Sequence, residues 1–233
     1  MFSNLFFLFQ TPPTDTTGTE PVVTSFSLIG IVAQGGAIGI TIAIILLILS
    51  GLAIYILIER YLTIKRAGEV DDNFMKEIGS FVQNGDIQSA INKCSVTDTP
   101  VARLVSKGLQ RIGKPLEDIN TAVQNVGNLE IYKLEKNVSV IATIAGAAPM
   151  IGFLGTVIGM IVAIHEIANS GGQIDIKMLS DGLYTAMTTT VAGLVVGIIS
   201  YIQYNHLVGR TNKVVYEMEA KSVEFLDLLN EPI

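Results

Sequence analysis

Residues 143–161 read TIAGAAPMIGFLGTVIGMI, nineteen residues without one charged side chain. A helix at the surface of a soluble domain is apolar along one stripe; this stretch is apolar all round, so it must sit in hydrocarbon or among other helices. Seven of its residues are small: Ala145, Gly146, Ala147, Ala148, Gly152, Gly155 and Gly159. Such a surface lets two backbones approach closely, which is how helices associate in lipid. Pro149 predicts a kink, with a buried partner for the carbonyl it frees.

Two further apolar runs flank this one. No charge occurs between Glu20 and Glu59, and the dense part, Ala37 to Ile58, is about the length a tilted helix needs to cross a ~30 Å hydrocarbon layer. Being rich in Ile and Leu, it is expected to face lipid. Gly182 to about Leu207 forms the third run, with Gly193 and Gly197 four apart and threonines at 185, 188, 189 and 190. Spans two and three, with their small residues, are expected to be buried in protein. Pro149, Gly152, Gly155, Gly159, Gly193 and Gly197 are the expected packing positions.

Lysine and arginine set the orientation. Fourteen of the fifteen fall between Arg60 and Lys136 or between Arg210 and Lys221, leaving only Lys177 elsewhere. By the positive-inside rule both stretches are cytoplasmic and the N-terminus lies outside. The layout is therefore a periplasmic tail (1–30), a first span (31–59), a cytoplasmic helical domain (60–137), a second span (138–167), a periplasmic loop (168–181), a third span (182–208) and a cytoplasmic C-terminal helix (209–233). Met1–Ser27 lacks a basic n-region and reads as a retained tail, Pro/Thr-rich at 11–20.

Within the cytoplasmic stretch, Asp71 or Asp72 is expected to cap a helix ending near Asn84-Gly85, and Asp86 a short successor. Thr99-Pro100 opens another, with Pro where its missing N–H costs nothing, and Gly113-Lys114-Pro115 ends it. From Leu116 to Pro149 no strong breaker occurs, which predicts one helix running into the membrane. Past Arg210 the third span continues; Val215, Met218, Ser222, Phe225 and Leu229 form an apolar stripe expected to pack on the extended second-span helix or a neighbouring subunit. The fold class is all-α, with three transmembrane helices, the second and third projecting far beyond the bilayer.

Composition narrows the functions. Only 15% of residues are charged, against about a quarter in soluble domains, and mean hydropathy is positive. The net charge of −6 gives no reason to expect a nucleic-acid partner. Cys94 is the single cysteine and reads as a packing residue. No phosphate-binding glycine loop, metal-ligand spacing or nucleophile–base set is present, so the chain reads as neither an enzyme nor a cofactor protein.

An ionisable side chain at mid-depth would mark an ion pathway. None is present: Glu59, Glu166, Asp181 and His206 all lie at span ends. His165-Glu166 and Asp181 could together form an outer vestibule, although Asp181 also fits a plain N-cap. What remains polar inside is hydroxyl: Thr156 in span two, and Thr185, Thr188, Thr189 and Thr190 in span three. Either each bonds a carbonyl of its own helix, or together they line a wettable channel. Hydroxyls cannot carry a proton's charge at neutral pH, so a titrating group must come from another chain.

The run AAPMIGFLGTVIGM, with GLYTAMTTTVAGLVVGIISY (Gly182–Tyr201), IERYLTIKRA (Ile58–Ala67) and PVARLVSKGLQRIGKP (Pro100–Pro115), resembles the ExbB/TolQ/MotA proton-channel family. The three-span layout is similar to the ExbB and TolQ branch. The resemblance implies a bacterial inner-membrane subunit that assembles as a pentamer around a single-span partner of the ExbD/TolR type. That partner's membrane aspartate takes the proton, and a TonB- or TolA-like rod delivers the work. Thr156 and Thr190 match the family's pore threonines, and Thr185 and Thr189 complete the expected pathway. Members of the ExbB branch often carry Glu where this chain has Thr185. A non-conducting scaffold for the partner is the alternative; a solute transporter is disfavoured because three spans give no inverted repeat.

Overall fold

The computed structural model describes residues 36–69, 71, 73–169 and 176–230, and over these the chain is all-α with no strand. Seven helices are described: α1 (Gly36–Ala67), α2 (Phe74–Gln83), α3 (Ile87–Val96), α4 (Pro100–Leu109), α5 (Leu116–Glu135), α6 (Val138–Asn169) and α7 (Ile176–Asn230). The expected tail at 1–30 and the middle of the loop at 168–181 lie outside the described residues.

α1, α6 and α7 each contain a stretch long and apolar enough to cross a membrane. α7 is the spine. Its 55 residues, ~83 Å at 1.5 Å per residue, exceed a bilayer core more than twofold. One half packs on α6 and α1; the other carries Val214, Met218 and Phe225, all buried, into a bundle with α2 to α5. Phe225 lies against Gly108 of α4, and a Cβ on Gly79 of α2 would stand only 2.7 Å from Leu228. Full burial of a phenylalanine contributes about 1.5–3 kcal/mol, and Phe225 adds this to a core shared with Phe74, Ile78, Val105 and Leu109. The apolar stripe therefore packs on the short helices as well as on α5, a wider seat than the sequence predicts.

Local signals explain most of the bundle's boundaries. Asp86 Oδ1 accepts from the Ser89 amide at 3.1 Å, and Thr99 Oγ1 from the Ala102 amide at 3.3 Å, so both expected caps form. Gly113 sits at φ +93°, where a side chain would be strained, and ends the α4 region. The first cap differs. Asn73 holds the N-cap position without a side-chain bond, while Asp71 Oδ1 takes the Asn73 amide at 3.0 Å; Asp72 lies outside the described residues.

One expectation is corrected. The helix expected from Leu116 to Pro149 is interrupted: Lys136 is extended and Asn137 is left-handed at φ +63°. Asparagine tolerates that conformation better than other non-glycine residues, which is why no Gly or Pro marks the break. Within one chain the second span is covered to the same extent as the first and the third somewhat more. Met150, Phe153 and Ile164 of α6 and Met187 and Val191 of α7 are as exposed as Leu47 and Tyr55 of α1. α1 covers part of both, with Ile42 against Gly155 and Gly39 against Thr185.

Candidate functional site

The contact between α6 and α7 is built from missing side chains. A Cβ on Gly152 would lie 2.8 Å from the Thr189 carbonyl oxygen, and one on Gly193 2.5 Å from the Ala148 carbonyl oxygen. Gly159 meets Ala186, Gly182 meets Ala163, and Gly155 leaves no room between Thr189 and Ile42 of α1. At Gly197 a Cβ would strike the Pro149 ring at 2.5 Å and come within 3.1 Å of the Ala145 carbonyl, the group whose helical donor Pro149 lacks. All six positions expected to pack lie in this contact. Ala163, Gly182 and Ala186 join them, legible in hindsight from four-residue spacing of small residues.

Close approach brings the hydroxyls onto backbone. Thr190 Oγ1 donates to the Gly152 carbonyl at 3.0 Å across the helix pair. Thr189, buried, donates to Ala186 at 2.8 Å and reaches the same Gly152 oxygen at 3.5 Å. Thr156, one turn beyond Gly152 on α6, donates to Phe153 at 2.6 Å, and Thr188 to Tyr184 at 2.8 Å. Thr156, Thr189 and Thr190 thus gather about one turn of α6. Thr185 stands apart, its methyl 3.3 Å from where a Cβ on Gly39 of α1 would be. With their protons committed to carbonyls, the four bonded hydroxyls present lone pairs: they are set to accept a hydrogen bond rather than donate one.

The expected outer vestibule falls partly outside the described residues. Glu166 is exposed near the end of α6, where His165 Nε2 lies 3.1 Å from Asn169 Nδ2; the side chain of Asp181 is outside the described set. No group of three or more His, Cys, Asp or Glu among the described residues could hold a metal ion.

The sequence reading missed two charged residues in buried positions. Arg60, which opens the first basic stretch, is buried, bound to Glu59, and its Nη1 donates to the Lys133 carbonyl at 2.9 Å. Glu130 of α5 is also buried, and accepts from Arg103 at 2.8 Å and Lys133 at 2.6 Å. Burial works against the Glu130 charge, and the Arg103 and Lys133 contacts outweigh it, holding the carboxyl below its ordinary value. Arg103 also pairs with Asp98. Tyr61, next to Arg60, stacks on His206 and lies 4.6 Å under the Arg210 guanidinium.

Three apolar spanning helices, a glycine-packed pair among them and a threonine cluster at their contact define a multi-pass membrane subunit. The chain belongs to the MotA/TolQ/ExbB proton channel family, whose model matches residues 96–220. It is similar to the biopolymer transport protein ExbB of Aquifex aeolicus, 38% identical over 38% of this chain and 59% of that one. An ExbB homologue of Methanothermobacter thermautotrophicus is 25% identical over 61% of this chain and 50% of its own. The Tol-Pal system protein TolQ of Haemophilus influenzae is 32% identical over 44% and 45%. The chain spans between half and three-fifths of the ExbB-type relatives and somewhat less of TolQ. It is thus a membrane subunit of ExbB/TolQ type.

Proposed function

We propose that this chain is the proton-channel subunit of an ExbB–ExbD or TolQ–TolR type motor in the bacterial inner membrane. Several copies, five by family resemblance, surround a single-span partner whose carboxylic acid carries the proton. Proton-motive force moves the partner and, through a TonB- or TolA-like rod, performs work on the envelope. The N-terminus lies outside and both basic stretches inside, as the Lys/Arg distribution requires.

One observation carries the reading: Thr189 and Thr190 of α7 gather with Thr156 about a single turn of α6, in a segment with no charged side chain. Since these hydroxyls accept, they favour the protonated acid of the partner over its carboxylate. A neutral acid is also the cheaper form in a low-dielectric pore. The loaded partner therefore dwells at this turn and the ionised form is driven from it, which gives direction to the cycle. Thr185, against α1, flanks this pathway, and Glu166 with Asp181 would form its outer mouth.

Thr156→Val and Thr190→Val remove the acceptor at nearly constant volume. Each is expected to leave the partner bound in a pull-down while slowing force-driven uptake about two- to tenfold, the effect of roughly 0.5–1.5 kcal/mol at one hydrogen bond to a neutral acid. Full activity in the double variant would sink the hydroxyl pathway. It would leave these threonines as packing residues; absence of proton flux in liposomes holding this chain and its partner would instead favour the second reading, a non-conducting scaffold.

A further inference from the structure

Two span ends meet at one place on this molecule. The apolar run of α6 begins at Val138, just after Lys136 and Asn137, and the apolar run of α7 ends at about Leu207. In space these ends share a groove of about 610 Å³, between Tyr132, Glu135, Lys136 and Ser139 on the α5–α6 side and Tyr204 and Val208 on α7. It opens where Lys136 is extended and Asn137 left-handed, at the interruption between the two helices.

We propose that this groove binds the headgroup of a phospholipid that carries both a phosphate and a primary amine, of the phosphatidylethanolamine class, from the leaflet at the cytoplasmic ends of the spans.

Position is the first argument. Two separate spans change from apolar to polar at this groove, so it lies at headgroup level, where tyrosine and lysine place an apolar body in hydrocarbon and a polar tip in the interface. Charge is the second. Glu135 and Lys136 are adjacent and exposed, and neither forms an ion pair among the described residues. Lys133, one turn earlier, is by contrast held by Glu130 at 2.6 Å. A free acid beside a free base complements a zwitterion: the Lys136 ammonium donates to the lipid phosphate, and the Glu135 carboxylate accepts from the lipid ammonium. Choline has no N–H to donate, and a phosphoglycerol headgroup brings a phosphate with no cation for Glu135. The Ser139, Tyr132 and Tyr204 hydroxyls add donors for the phosphate oxygens. Size is the third. The volume falls within the roughly 300–1,000 Å³ of small-ligand sites. Exposed Tyr201, one turn deeper on the same face as Tyr204 and Val208, continues the wall for an acyl chain. The proposal rests on the orientation given above only for which leaflet supplies the lipid.

The test is native mass spectrometry of the full-length protein released from nanodiscs holding equal amounts of phosphatidylcholine, phosphatidylethanolamine and phosphatidylglycerol. The native chain is expected to retain phosphatidylethanolamine in preference to the other two. Lys136→Gln and Glu135→Gln should each lower that retention about three- to tenfold, the size of one partly exposed charged contact. Glu135→Lys should turn the preference toward phosphatidylglycerol. Arg66→Gln, an exposed cation that does not line the groove, should change nothing. All four side chains are exposed, so the variants are expected to fold. Equal retention of the three lipids, or an unaltered preference in both glutamine variants, would overturn the site. A photoreactive residue in place of Tyr132 reports the occupant directly: a lipid adduct supports the proposal, and a cross-link to a second copy of the chain rejects it. Proton-driven uptake is not a readout here, so a fully active Thr156→Val/Thr190→Val double variant would remove the hydroxyl pathway and leave this lipid preference to stand or fall alone.

Discussion

Glu130 and Cys94 show how burial changes what a side chain can do. Glu130 is ionised because Arg103 and Lys133 surround it, and its folded-state pKa lies below the ordinary 4.5. A depressed carboxyl stabilises the fold fully above the unfolded value, and that contribution is lost as pH falls through the folded one. Glu130→Gln is therefore expected to cost about 1–3 kcal/mol at pH 7. Measured as unfolding temperature in detergent, the gap to the native protein should narrow below pH 4.5. The Cys94 thiol is pushed up to about 11 by burial. About one molecule in ten thousand is then thiolate at pH 7, so the folded protein should resist maleimide while the denatured protein reacts promptly. Rapid labelling of the native chain would contradict its place in the core.

At the scale of elements, the α6–α7 pair is specified by where a Cβ cannot go. Gly193→Ala must push against the Ala148 carbonyl, which is backbone and cannot swing aside, and is expected to cost about 1–3 kcal/mol. Gly51, on α1, has nothing within 4 Å of its Cβ position, so Gly51→Ala should be neutral or stabilise by up to ~1 kcal/mol through helix propensity. Thermal unfolding of the two variants side by side checks this; equal behaviour would mean that the contact is looser than described. Gly155→Leu should go further and disperse any oligomer on native gels, because Thr189 and Ile42 fill that space. The same reasoning explains why Asn137 escaped a reading based on breakers. Asparagine neither forbids a helix nor ends one, and it takes the left-handed conformation more readily than other non-glycine residues.

For the whole molecule, charge and apolar length together predict how it sits in a membrane. Single cysteines at positions 114 and 229, in a Cys94→Ala background, should be labelled by an impermeant maleimide only after the inner membrane is opened. A cysteine at position 20 should react in spheroplasts. Labelling of position 114 from outside would reverse the layout. α7 couples the two halves of the molecule physically: one unbroken helix carries both the threonine turn and the Phe225 plug. Phe225→Ala, expected to cost about 3–5 kcal/mol, should unfold the bundle before it disturbs the α6–α7 contact. Exchange that rises at α2 to α4 first would show this order.

The three spans, the small-residue face of the second, the caps at Asp86 and Thr99 and the family resemblance could all be read from the chain. Transfer from water to hydrocarbon, and local capping, depend on composition and near neighbours, and a sequence states both directly. The partners of polar groups could not be read. Arg60 and Glu130 look like solvated charges in a linear chain, because an arginine at a span end and a glutamate in a polar helix are usually exposed. Their burial exists only once α1, α4 and α5 meet. The threonines were visible as a cluster, but which carbonyls take their protons depends on a crossing between α6 and α7 that missing Cβ atoms permit and long-range packing fixes. The break at Asn137 belongs to the same class: no Gly or Pro marks it, and it lies where α1 meets α5, beside the Arg60 bond to the Lys133 carbonyl.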